Sequence, residues 1–297
     1  VFRKDKTFLL DWMQVYMEAQ ESAGKKDGSQ IKIAMRILKD YAGEMVTLDQ
    51  IDGDFCRGYI TYLLTEYHPK GKDISNYTLH NYYRALNGAL NSAVRKKKMK
   101  ASPFNELEKS EKIRKPESMR SYMTIEEVQA LIDTPMPHEE YEIVKCAYLF
   151  SCFCGLRISD IIKLKWNDVF VDRGQYRLAV SMKKTKEPIY LPLSPEALKW
   201  MPERGGKSSE DNVFDLPSAN TIRMQLKPWA KAAGISKRFS YHTSRHTFAT
   251  MMLTLGADLY TVSKLLGHAD VKMTQVYAKI INKKKDEAVN LVNGLFH

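Results

Sequence analysis

Between Ser240 and Ile280 the chain carries Ser240-Tyr241-His242-Thr243-Ser244-Arg245-His246, then Leu265-Leu266-Gly267-His268, then Tyr277. A guanidinium holds an oxyanion, imidazoles donate to one or move a proton, and a phenol that loses its proton is a nucleophile. On a 3.6-residue period His242, Arg245 and His246 lie within an arc of about 100°. They open a helix whose apolar face is Phe248, Ala249, Met252 and Leu253. Free N–H groups and the helix dipole favour an anion at that end. A second helix is expected over 258–266, with Val262, Leu265 and Leu266 inward and Gly267 just past its end, leaving His268 beside the same region. Asp270 is a good cap for a third, which places Met273, Val276, Tyr277 and Ile280 on one side. Taken singly, an inward His or Tyr is commonly a hydrogen-bonded core residue; the case for chemistry lies in the ensemble. His242 and His246 also have the spacing of a zinc helix. Thr243 stands where a metalloprotease needs Glu, and Arg245 would repel the cation, so no metal is expected.

The elements before this stretch read as a mixed α/β unit. Thr124-Ile125-Glu126-Glu127 is a capping box opening a helix. The segment 141–154 is apolar nearly all round and predicts a buried central helix ended by Gly155. Arg157 follows, with Ser159 as a candidate N-cap. Asp160 either pairs with Arg157 as a structural ion pair or orients it toward a bound phosphate. Tyr176, Leu178, Val180 and Met182 alternate with polar residues, and 189–193 is a second β-prone run. Between them Lys183-Lys184-Thr185-Lys186-Glu187 forms a basic hairpin tip, which either keeps a strand edge soluble or delivers an ammonium into a groove. Another helix is expected over 218–233 with Trp229 inward. Near the end, Ala288, Leu291, Val292 and Leu295 follow Lys283-Lys284-Lys285 as an amphipathic tail that folds back or docks on a neighbouring subunit.

Residues 1–112 read as a helical bundle of four or five helices with short loops. Gly24 and Gly28 separate the first two, and His68-Pro69-Lys70-Gly71 precedes a long one over 75–99. That helix ends Arg95-Lys96-Lys97-Lys98-Met99-Lys100. Such a run either complements the dipole at a solvated helix end or grips phosphates. Asn76, Tyr77, Thr78, His80, Asn81 and Arg84, earlier on the helix, are the types that position a duplex without reading it. From 101 to 122 the apolar period fades, Ser102-Pro103 stops the helix, and charge alternation with Pro116 reads as an extended linker. The expected division is a helical domain (1–112), a linker (113–121), a mixed α/β domain (122–282) and a tail (283–297).

The 297 residues suffice for two cores, and 46 Lys+Arg against 35 Asp+Glu give a net charge of +11. That excess favours a polyanionic partner. No apolar run approaches the roughly 20 residues of a membrane span. The four cysteines, with no CxxC pair, fit reduced thiols in a cytosol. The chain opens on Val1 without a charged-then-apolar leader, which suggests a trimmed sequence.

In combination these motifs resemble the tyrosine recombinase, or phage-type integrase, family. The carriers are Gly155-Leu156-Arg157-Ile158-Ser159-Asp160, Lys184-Thr185 of the hairpin, His242-x-x-Arg245-His246, Leu266-Gly267-His268, and Tyr277 nine residues later. The match covers about 122–282, and the helical N-terminal part looks like that family's core-binding domain. The resemblance implies a mainly α fold with a small β-sheet: a SAM-like bundle followed by a mixed α/β catalytic domain. It implies site-specific DNA recombination, the integration or excision of a mobile element or prophage, through a 3′-phosphotyrosine at Tyr277 and without metal, ATP or other cofactor. Arg157 and Arg245 would hold the phosphate, each with two parallel donors. Lys184 would protonate the departing 5′-oxygen, His242 would take the phenol proton or bond the phosphate, and His268 would bind a phosphate oxygen. Asp160 would steer Arg157, and His246 is read as structural. The partners implied are double-stranded DNA and further copies of the chain, a tetramer on paired sites, with DNA-bending accessory proteins compatible and a bacterial cytosol expected. Many mobile-element integrases carry a small extra DNA-binding domain first; none is read here, so the expectation is either a trimmed sequence or a simpler recombinase. A type IB topoisomerase-like enzyme would use nearly the same residues, and a non-catalytic architectural DNA-binding protein would not need Tyr277.

Overall fold

The computed structural model describes residues 6–116, 120–181 and 188–278, in two compact units, 1–118 and 119–297. The first is helical: α1 (Leu9–Ser22), α2 (Gly28–Ala42), α3 (Gly53–Thr65) and α4 (Asn76–Arg95). Each buries one stripe, such as Ile31, Ala34, Ile37 and Leu38 on α2 and Leu79, Leu86, Ala89, Leu90 and Ala93 on α4. Asp52 caps α3 through Phe55 N and Ser75 caps α4 through Thr78 N. Trp12, almost wholly buried, still finds an acceptor, donating Nε1–H to Ala89 O at 2.8 Å.

Helix α4 stops at Arg95, short of the expected Met99. Lys97 takes a left-handed conformation (φ 57°), and Lys98 N and Lys97 N close back on Ala93 O and Val94 O. This is a Schellman turn built on lysine where glycine is usual. The expected linker from 101 onward also needs correction. Phe104, Leu107 and Ile113 are buried in the bundle core, so the chain from Ser102 to Ile113 covers the bundle. Three apolar residues at irregular spacing carry no helical period, which is why the sequence read as extended.

In the second unit Thr124 and Glu127 cap α5 (Ile125–Asp133) reciprocally. Helix α6 (Glu142–Cys154) has Val144, Ala147, Tyr148, Leu149, Phe150 and Cys152 fully buried, and Gly155 ends it at φ 74°. The one-turn α7 (Ile158–Ile161) follows, with Arg157 as its N-cap residue; Ser159 lies inside it and is not the cap. A three-stranded antiparallel sheet, β1 (Val169–Asp172), β2 (Gln175–Ser181) and β3 (Pro188–Pro192), is paired in sequence order. Val169 faces Leu178, which faces Leu191, and this row points at the core. Strand β1 was not anticipated from the sequence; the Arg173-Gly174 turn that joins it to β2 has φ 50° and 77°, the positive pair a tight hairpin needs. The basic tip 183–187 lies outside the described residues, as does the tail 283–297.

Next come α8 (Pro195–Leu198), α9 (Ala219–Ala232), α10 (Tyr241–Thr254), α11 (Leu259–Leu265) and α12 (Lys272–Ala278). Helix α10 packs on α6, and Tyr241 donates its hydroxyl to Ala147 O at 2.7 Å. Every residue of α10 from Thr243 to Thr250 is buried, polar ones included. Each polar group there needs a partner, and Thr247 Oγ1 finds one in Met123 N at 2.9 Å. A smaller core of Phe248, Ala249, Leu253, Val262, Leu266 and Tyr277 joins α10, α11 and α12. Among the described residues no helix is long and apolar enough to cross a membrane.

Candidate active site

Arg245 organises the site. It lies one turn into α10, 2% exposed, and donates from Nη1 to Gly155 O at 2.7 Å and from Nη2 to Leu266 O at 2.5 Å. The carbonyls that α6 and α11 leave unpaired at their C-terminal ends are thus bridged by one guanidinium. Of its five N–H donors two are spent this way, and one on each Nη plus Nε–H remain for a ligand. Burial, then the charge of Arg157, lowers its pKa to about 10. Two cations within electrostatic reach of each other in a desolvated recess form a site short of negative charge.

Arg157 is half-buried and follows the α6 end that Arg245 clips. Asp160 is buried and accepts from Arg157 N at 3.3 Å and from Ser159 Oγ at 3.2 Å. The carboxylate thereby fixes the backbone from which the Arg157 side chain departs, and its charge acts on Arg245 as well.

The imidazoles ring this cationic centre. His268 follows Gly267, left-handed at φ 59°, in the place expected just beyond α11. Burial, then Arg245 and Arg157, pulls its pKa down to about 4. His246 is buried, and burial, then His242, brings its pKa to about 3. His242 is the exposed member; partial desolvation and then Arg245 depress it too. His246 and His268 are therefore neutral at pH 7, each able to donate through one nitrogen and accept through the other. The His242 and His246 rings meet edge to face, 4.5 Å between centroids.

Tyr277 is 4% exposed, and its hydroxyl lies 2.5 Å from His246 Nδ1. Desolvation raises its pKa, opposed by Arg245, Arg120 and Arg157 in that order. The structure thus places His246, read from sequence as structural, on the phenol itself, and His242 beside it. The buried face of α12 is Thr274 and Tyr277; Met273, expected inward, is 43% exposed. Thr274 Oγ1 lies 2.7 Å from His268 Nδ1. Sequence reasoning missed Thr274, His246 as a phenol partner, and Arg120. Arg120 is exposed, yet its charge acts on His242, His246, His268 and Tyr277. Tyr277 and Thr274 share a helical face, which is the one signal that pointed to Thr274. Lys184 lies outside the described residues. No group of three potential metal ligands occurs among the described residues.

The α4 candidates divide. Asn76, Tyr77, Arg84, Arg95, Lys96, Lys97, Lys98 and Lys100 are exposed, and Thr78, His80 and Asn81 are half-buried. Thr78 is tied up in the Ser75 cap, and Arg84 pairs with Asp27 at 3.1 Å.

Comparison with known proteins identifies the family. The phage integrase family model matches residues 121–284 and the phage integrase SAM-like domain model matches 8–114. The chain belongs to the phage integrase family, the tyrosine recombinases, enzymes that cleave and rejoin DNA. It is 29% identical over 242 residues to a tyrosine recombinase of Pseudothermotoga lettingae, covering 74% of this chain and 82% of that one. It is 32% identical over 184 residues to the tyrosine recombinase XerD of Vibrio vulnificus, covering 57% and 59% respectively. Its fold is similar to that of the Tn1549 transposon integrase in complex with transposon right end DNA, with a TM-score of 0.72 at 16% identity over 97% of this chain and 99% of that one. The XerH recombinase bound to its difH substrate in a post-cleavage complex gives 0.66 at 16% identity, over 95% of each chain.

Proposed function

We propose that the protein is a site-specific DNA recombinase in which Tyr277 attacks a backbone phosphate held by Arg157 and Arg245. The observation that carries this reading is the gathering of Arg245, the neutral His268 ring and the buried Tyr277 phenol within electrostatic reach of Arg157, with the neutral His246 ring on the phenol. In the step proposed, the Tyr277 oxygen bonds to phosphorus and the bond to the 5′-oxygen breaks. The products are a 3′-phosphotyrosine and a free 5′-hydroxyl. The phenol proton passes to His246 Nδ1, which touches it, with His242 alongside. Lys184 protonates the leaving oxygen. The arginines and His268 donate to the non-bridging oxygens as charge builds there, Asp160 holds the Arg157 backbone, and Arg120 adds a further cation near the ring of histidines. The arginines supply the positive charge, so the reading calls for no metal, and the ester conserves the energy for rejoining, so it calls for no ATP.

The polyanion is double-stranded DNA, gripped by the exposed Asn76, Tyr77 and Arg95 of α4 and by Lys96, Lys97, Lys98 and Lys100 in the turn that follows it. His80, Asn81 and Arg84 sit on the same helix. The division into core-binding (1–112), linker (113–121), catalytic (122–282) and tail (283–297) segments goes with this reading, with the linker trimmed to begin after Ile113. The Tn1549 and XerH structures contain DNA, which supports a DNA partner; the proposal extends this to integration or excision of a mobile element by a homotetramer on paired sites in the bacterial cytosol. A substrate nicked beside the scissile bond traps the covalent intermediate. The wild type is expected to form an adduct that survives denaturation, and Tyr277→Phe none. An adduct persisting in Tyr277→Phe, or lost on adding EDTA, would overturn the assignment.

A further inference from the structure

We propose that Thr274 is a positioning residue: its hydroxyl donates to His268 Nδ1, and so fixes the proton of the neutral His268 ring on Nε2, where it serves a phosphate oxygen. The inference rests on the recombinase reading, to which it adds a residue on the nucleophile's own helix.

A neutral imidazole is useful to an anion only through its protonated nitrogen; the bare one repels it. His268 is neutral because burial and two arginines make the imidazolium costly. Something must therefore choose the tautomer. The ring nitrogen nearer α12 is 2.7 Å from Thr274 Oγ1, and Thr274 is completely buried. The threonine hydroxyl has one proton to give and makes no other hydrogen bond among the described residues. A buried hydroxyl without an acceptor is costly, so the favourable arrangement has O–H donating to Nδ1. Nδ1 is then the acceptor and Nε2 keeps the hydrogen. Nε2 makes no hydrogen bond among the described residues, and the ring is within electrostatic reach of Arg245 and Arg157.

The position of Thr274 gives this contact a second consequence. It precedes Tyr277 by three residues on α12, on the same face, so the two side chains act together. Each reaches a different histidine, Thr274 to His268 and Tyr277 to His246. Docking of α12 therefore sets the phenol and the phosphate donor in one movement.

Full-length wild type, Thr274→Val and Thr274→Ser are to be compared on the nicked substrate in single turnover, with DNA affinity and melting temperature measured alongside. In parallel, 15N-histidine NMR of the full chain is to be recorded, the His268 signals identified by their loss in His268→Gln. The wild type is expected to show a protonated Nε2 and a bare, hydrogen-bonded Nδ1. Thr274→Val keeps the shape and removes the donor. It should lose that Nδ1 signature and cleave about tenfold more slowly at saturating DNA, and Thr274→Ser should restore both. A wild-type proton on Nδ1 overturns the proposal, as does a valine variant that cleaves at the wild-type rate. So does a serine variant as slow as valine, since the loss would then follow packing. If the wild type forms no adduct at all, the recombinase reading fails, while the nitrogen spectrum still decides the hydrogen bond.

Discussion

The two units bury different things. Among the described residues of the helical bundle, the buried polar side chains are Thr47 and Ser102, near the edges of a core of Leu, Ile, Ala and Tyr. In the second unit α10 alone buries Thr243, Ser244, Arg245, His246, Thr247 and Thr250, and Asp160, Ser263 and Thr274 lie in the elements around it. Burying a polar group costs free energy unless it is partnered. A chain that does so repeatedly on one helix is keeping those groups for something other than stability. The bundle keeps its polar groups on the outside, where they cost little and can touch a partner by its charge. The second unit commits them to fixed geometry, which charge-stabilising catalysis demands. On the proposed reading one half serves adhesion and the other preorganisation.

The comparison breaks most visibly at Arg245. Arg245→Ala leaves the Gly155 and Leu266 carbonyls without their donor, each at a cost of about 1–3 kcal/mol, and removes a charge from the phosphate site. We expect single-turnover cleavage to fall by about 1000-fold and the second unit's melting transition to drop by several degrees in calorimetry. A variant with unchanged melting would show that the two carbonyls do not depend on it. Gly155→Ala should come next. Its Cβ would lie 2.6 Å from Phe248 Cδ1 at a residue with φ +74°, a strained conformation for alanine. A loss of about 1–3 kcal/mol is expected in urea denaturation, confined to the second unit.

Acid should separate the two units without mutation. Burial first, then neighbouring positive groups, holds His246 down to about 3 and His268 to about 4, well below the ordinary histidine value of 6.5. The unfolded chain therefore binds protons that the folded one refuses. The stability held by their neutral forms is complete above about pH 6.5 and drains as pH falls toward 4 and then 3. In the bundle His80 shifts in the same direction, through burial first and then Arg84 and Lys115. Calorimetry at pH 7 and pH 5 should show the second unit's transition falling further than the first's; equal shifts would contradict the depressed histidines. The smallest effect on stability is expected at the bundle surface. Arg84→Ala removes an exposed pair with Asp27 and should cost less than about 1 kcal/mol. If Arg84 also meets a phosphate, the slope of log affinity for DNA against log salt should become shallower by roughly one. An unchanged slope would remove Arg84 from the DNA-gripping set.

How much of this was legible in the sequence follows the same divide. Helices with one apolar stripe announced themselves, because burial on one face leaves a period in the chain. So did the site's local motifs, since His242, Arg245 and His246 share one helix end and Gly155 and Gly267 mark two others. What stayed hidden depends on distance along the chain. The Arg245 clamp joins residues 90 and 21 positions apart, and the contact of His246 with Tyr277 spans 31. No periodicity encodes such pairs. Strand β1 was too short to alternate visibly, and Phe104, Leu107 and Ile113 cover the bundle at irregular intervals. Helix α10 was legible as a helix, yet the burial of every residue from Thr243 to Thr250 was not, because only Phe248, Ala249, Met252 and Leu253 carry an apolar period.

The guanidinium that bridges two helix ends has one more consequence. Arg245 and Arg157 act on each other as like charges where Arg245 is buried, and Asp160 is among the groups that offset Arg245. On the proposed reading a phosphate held by both arginines would relieve that repulsion and couple ligand binding to the stability of the fold. The protein on its substrate should be a stiffer object than the protein alone.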